Sequence, residues 1–286
     1  VKQIIKKTSN FIFASGFALA AVASNAQEAP KSPWGYYVEL GTSLNNSAAE
    51  GTTEKKNNIG GYVYGSASFN ASDSWSLGAE HLVGTTYIAA GEGDFGISDG
   101  YWRFLATNKN VADFGGWKAS VLYRWTAPTS AGLQQQGGWG VFTVRPSIKN
   151  AFGAFSFMAR NGVSVPLTTV AYQENHVGKG NPTGIPVLSN TFEIFPAYNL
   201  IADTLDFTLY VYLSSKMSSA GQFVKPDNTW GHALGWEAEL AYTLPKNAFV
   251  DGIALAYDHE SAIFKEADFK FASSAGNYTV KLSKSF

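Results

Sequence analysis

Few residues in this chain have the types and spacing that catalysis needs. His259 and Ser261 stand two apart on a stretch of alternating character, and two residues apart on a strand share a face, so the imidazole could serve the hydroxyl as a base. A working triad also needs a group to orient the imidazole, and Asn277 is the one loose match for it. His81, His176 and His232 fall on separate elements without ligand spacing, and Glu92 and Asp94 form a lone carboxylate pair in a Gly-rich loop. The chain has no Cys, which removes disulfides, thiol catalysis and thiolate metal sites together. No phosphate-binding glycine motif is present. The more extensive constellation is one of charge. Arg103, Lys118, Arg124, Arg145 and Arg160 recur on one face of successive segments, and Glu39, Glu80, Glu193, Glu237, Glu239, Asp258 and Glu260 on the corresponding face of others.

The segments that carry these charges alternate with period two. Along 205–213, Leu205, Phe207, Leu209, Val211 and Leu213 fall on one side and Thr208, Tyr210 and Tyr212 on the other. Along 234–244, Leu234, Trp236, Ala238, Leu240, Tyr242 and Leu244 oppose Glu237 and Glu239; Trp117, Ala119, Val121, Tyr123 and Trp125 oppose Lys118, Ser120 and Arg124. The pattern predicts about twelve strands, near 34–44, 58–70, 75–87, 99–107, 116–127, 138–150, 154–167, 190–201, 205–216, 232–244, 250–261 and 277–286. Short connections (71–74, 108–115, 151–153, 202–204, 245–249) alternate with longer ones, of which 168–189 is the longest.

Both chain ends fit this pattern. Lys2, Lys6 and Lys7 precede an apolar run from Phe11 to Val22, which is too short to span a bilayer that needs about 20 residues. Ala23, Ser24, Asn25 and Ala26 then place small residues where a signal peptidase reads, so residues 1–26 are expected to be a cleaved signal peptide and 27–286 a single barrel domain. At the other end Tyr278, Val280, Leu282 and Phe286 alternate with Thr279, Lys281, Ser283 and Ser285. The composition is 45% hydrophobic and 15% aromatic with 29 Gly, yet mean hydropathy is only −0.08. Alternation of lipid-facing and lumen-facing residues gives such near-neutral values. A net charge of −1 argues against nucleic-acid binding.

The small residues before Gln27 and the terminal strand from Tyr278 to Phe286 resemble those of Gram-negative outer-membrane barrels, and more loosely of their small porins and substrate channels of about twelve strands. The resemblance implies an all-β, transmembrane, antiparallel up-and-down β-barrel with short periplasmic turns and long extracellular loops. It further implies that the barrel-assembly machinery reads the C-terminal strand, with Phe286 at barrel closure. A charge facing lipid at mid-depth costs ~2–4 kcal/mol for Arg or Lys, so the charged face must line the lumen. Strand order then sets the arginines and Lys118 on one wall and the carboxylates on the facing one, and such walls order water and favour polar solutes. Trp34, Trp75, Trp102, Trp117 and Trp125 near strand ends suit interfacial girdles.

The expectation is a monomeric outer-membrane porin in contact with lipid and lipopolysaccharide. It would pass small polar solutes by passive diffusion, with no enzyme activity, cofactor or nucleic-acid partner. One alternative is a structural or adhesive barrel whose charges pair across the lumen and plug it. The other is an enzyme, since outer-membrane phospholipases resemble this chain in having a His-x-Ser pair.

Overall fold

The computed structural model describes residues 32–48, 55–88, 96–129, 138–168, 172–173, 183–184, 186–218, 229–245, 249–263 and 276–286. The proposed signal peptide, His176, Glu92 and Asp94 lie outside them. β1 (Trp34–Ala48), β2 (Lys55–Asn70), β3 (Trp75–Ile88), β4 (Gly96–Phe114), β5 (Trp117–Thr126), β6 (Gly138–Phe152) and β7 (Phe155–Thr168) form one run of antiparallel neighbours. β8 (Tyr172–Gln173) and β9 (Thr183–Gly184) pair only with each other, within the longest connection. β10 (Pro186–Ile201), β11 (Leu205–Ser218), β12 (Thr229–Thr243), β13 (Gly252–Ile263) and β14 (Asn277–Ser285) complete the sheet. β10 joins β7, and β14 returns to β1, with Tyr37 opposite Ser285 and Asn45 opposite Asn277. The result is a closed twelve-stranded barrel with neighbours in sequence order, which leaves no exposed sheet edge.

The strands outrun the apolar pattern that predicts them. Residues 45–48 pair with 55–58, although the sequence reading places 45–57 in a loop. Likewise β4 continues through Asn108, Lys109 and Asn110 to Phe114, where that reading places an eight-residue connection. Backbone ladders need no hydrophobic alternation, so pairing persists beyond the apolar belt. The β4–β5 turn shrinks to Gly115 and Gly116, whose φ of 58° and 84° make the tight primed turn that glycine favours.

Closure is reinforced at the turn end. Phe286 exchanges two backbone hydrogen bonds with Tyr36, at 3.3 and 3.0 Å. Asp251, just before β13, accepts from Lys284 Nζ at 2.8 Å and from the Ser285 backbone N–H at 2.7 Å. The Lys284 hydrogen bond, followed by that of Ser285, holds the Asp251 carboxyl below its usual range. A depressed carboxyl contributes stability that is fully present above the unfolded value near ~4 and is lost as pH falls through the lower folded value. The clasp is largely exposed, so Asp251→Asn should cost only a few tenths of a kcal/mol at pH 7. Urea unfolding at pH 7 and pH 3 should show a smaller acid loss in the variant than in the parent; equal losses would mean the clasp contributes nothing.

Candidate lumen site

The two faces of the sheet differ sharply. Val38, Leu40, Val63, Leu77, Phe104, Phe142, Val165, Phe192, Leu240, Leu255 and Val280 all point outward and are exposed. Apolar surface in water costs about 25 cal/mol per Å², so an exterior this apolar belongs in a bilayer. Trp34, Trp75, Trp102 and Trp125 are also exposed on this face, in ring contact with Phe69, Tyr123, His81 and Phe104 respectively. The inward face carries the charges, and they bond to one another and to tyrosine hydroxyls.

Glu193 on β10 is the centre of one network, with 0% exposure. Arg160, directly opposite on β7, makes a forked pair with it, one arm Nη2 to Oε1 at 3.0 Å. Tyr210 on β11 donates to the same carboxylate at 2.7 Å, and Arg145 Nε on β6 stands 3.9 Å away. Glu80 on β3 accepts from Arg103 at 3.0 Å and from Tyr64 at 2.9 Å. Arg124 on β5 meets Thr143 at 3.5 Å, with no carboxylate in ion-pair distance among the described residues. Lys118 lies near the turn end, exposed, between Asp113 and Lys149 in register.

On the other arc, Glu39 accepts from Tyr37 at 2.5 Å and from Tyr62 at 2.6 Å. Lys281 on β14 reaches past β13 to Glu237 at 2.7 Å and Glu239 at 2.5 Å on β12. Asp258 accepts from Asn277 at 2.9 Å, and the side chain of Glu260 is outside the described set. Lys281 thus sits among the carboxylates; period-two parity marks it as inward, but only the register of β12, β13 and β14 reveals what it meets. The tyrosine partners are also missing from the sequence reading, because a hydroxyl on the charged face carries no sign of which carboxylate it will reach.

Two inward tyrosine rings, those of Tyr62 and Tyr212, lie against the wall. A Cβ on Gly41 would fall 2.0 Å from the Tyr62 ring, and one on Gly235 would fall 2.2 Å from that of Tyr212. Each glycine is the register partner of its tyrosine, so the ring lies flat across the neighbouring strand rather than projecting into the bore.

His259 faces outward opposite Trp236 and is buried. Asn277 lies on the other side of the sheet, with its amide given to Asp258, and the Ser261 side chain is outside the described set. His81 bonds the Tyr101 carbonyl at 2.8 Å, and His232 pairs with Ser215 at 2.8 Å. Among the described residues no three His, Asp or Glu gather as metal ligands.

No family model matches the sequence, and no curated protein matches it. Among solved structures, the chain is similar to an outer membrane channel from Pseudomonas putida, with a TM-score of 0.54 at 11% identity over 93% of this chain and 100% of that one. Similarity to the NanC porin has a TM-score of 0.48 at 8% identity, over 86% of this chain and 97% of that one. At such identity the shared property is the fold, a closed antiparallel barrel of the outer-membrane type.

Proposed function

We propose that this barrel is a porin-like channel of the outer membrane, passing small polar solutes by passive diffusion between a basic and an acidic wall. The direction of the ion pairs carries this reading. Each described pair within the lumen joins adjacent strands, or strands with one between: β3 to β4, β7 to β10, β6 to β10, and β14 to β12. A plugged barrel needs pairs that span the bore; these run along the wall. Twelve strands spaced ~4.8 Å and tilted about 40° give a circumference of roughly 75 Å and a backbone radius of about 12 Å. Inward side chains take up part of that width, and Glu39, Thr143, Glu193 and Tyr210 are buried among their neighbours along the wall.

The same reading includes residues 1–26 as an export segment, the C-terminal strand as the signal for barrel assembly, and a monomer in contact with lipid and lipopolysaccharide. No reaction is part of it. Single-channel recording of the refolded protein in a planar bilayer tests it. Stable, uniform current steps are expected. Silence from protein shown to be folded by heat-modifiable gel migration would favour the sealed, adhesive alternative and end the channel reading.

A further inference from the structure

The four lumen arginines are ordered along the wall. Arg103 is level with Thr126 on β5, two residues toward the loop end from Arg124. Arg145 is level with Leu122, two residues from Arg124 toward the turn end. Arg160 is level with Ser147, two residues beyond Arg145 in the same direction. The guanidinium-bearing positions therefore descend as a staircase across β4, β5, β6 and β7, each the diagonal neighbour of the last, at roughly 7–8 Å between backbones. A carboxylate stands directly opposite each end: Glu80 beside Arg103 and Glu193 beside Arg160. Both end residues are also held over aromatic rings, Arg103 over Tyr101 at 3.6 Å and Arg160 over Phe195 at 4.6 Å.

The middle of the staircase has no such restraint. Four guanidinium groups meet two carboxylates, and Arg145 has only the more distant share of Glu193. The Nε atoms of Arg103, Arg124 and Arg145 and the Tyr101 hydroxyl are buried without a hydrogen-bond partner. Diagonal like charges repel, and these N–H donors are met by no protein acceptor among the described residues, so the site is electropositive and its donors are uncommitted to protein groups. An oxyanion suits such a site, because a guanidinium presents planar forks of N–H donors that fit carboxylate or phosphate oxygens.

We infer that this staircase is a docking site for the oxyanion group, carboxylate or phosphate, of a small solute, centred on Arg124. The inference rests on the channel reading for its biological use, but the binding itself needs no current. The test is calorimetric titration of the full barrel in detergent micelles with inorganic phosphate and, separately, with succinate, in low-chloride buffer. Saturable binding of at least one probe is expected, weakened about ten- to hundredfold in Arg124→Gln by loss of charge-assisted hydrogen bonds. Lys109→Gln, which removes a cation at the turn end, should leave binding unchanged. Binding of phosphate alone would identify a phosphate site, and of succinate alone a carboxylate site. Should Arg124→Gln fail to fold, Arg124→Lys keeps the charge but loses the fork, and a several-fold weakening is expected. Folded wild type that binds neither probe, an Arg124 variant that binds as tightly as wild type, or equal loss in Lys109→Gln would overturn the inference. A conducting barrel that binds neither probe defeats this inference alone; a silent barrel that binds one defeats the channel reading alone.

Discussion

Glu193→Gln is expected to destabilise the barrel by about 3–5 kcal/mol, the range for removing one partner from a buried ion pair. Glu193 is fully buried and is the carboxylate shared by Arg160, Arg145 and Tyr210. Glutamine preserves the shape and one acceptor but removes the only negative charge that those two arginines meet among the described residues. Arg124 already lacks a carboxylate partner among the described residues, so three adjacent steps of the staircase would then repel without compensation. Urea unfolding of the protein in lipid vesicles measures the cost. Adding Arg160→Gln should recover part of it, giving a coupling between the two positions above about 1.5 kcal/mol. A single-variant loss under 1 kcal/mol, with no coupling, would show that water in the bore screens the network and that Glu193 is not its centre.

The unequal reach of sequence reasoning here has a physical source. Parity along one strand decides which side of a sheet a residue takes, so the inward placement of Arg103, Arg124, Arg145, Arg160, Glu39, Glu193, Glu237 and Glu239 follows from period two and the cost of a charge in lipid. Strand ends are harder, because 45–48 and 55–57 extend the β1–β2 ladder without an alternating apolar pattern, and the β4–β5 register shifts between Asn108 and Ala112. Lateral partners are harder still. Glu193 meets Arg160 only because β10 pairs β7 with Ser189 opposite Ser164, a register set across the intervening 169–185 connection. Lys281 reaches two glutamates because the inward residues of the strand between are small there: Ala254, its own register partner, and Ala256, the partner of Glu239. The flat seating of Tyr62 and Tyr212 depends on glycines 21 and 23 residues away in the chain, which no local window joins to them.

Replacing Arg124 and Arg145 together with Ser should shift the reversal potential of the channel toward cations in a salt gradient while the barrel still folds. The structure explains why folding survives: Glu193 keeps Arg160 and Tyr210, and Arg124 strands no carboxylate when it leaves. Neither substitution puts a polar group into lipid. A unit charge about 7 Å from a permeating ion in water contributes roughly 0.6 kcal/mol, so losing two gives roughly a three- to tenfold change in the cation-to-anion permeability ratio once salt screening is included. Glu237→Gln with Glu239→Gln should shift the ratio the other way by a similar factor. That pair carries a larger folding cost, since Lys281 loses both carboxylates, although each Gln carbonyl still offers it an acceptor. The effects should shrink in parallel as ionic strength rises, because the Debye length falls from about 10 Å at 0.1 M to about 3 Å at 1 M. A plugged lumen gives a different result: substitution would open leaks in a barrel that was silent before. Unchanged selectivity in both variants at low salt would mean that permeating ions do not pass between these walls, and the charged arcs would then serve only to hold neighbouring strands together.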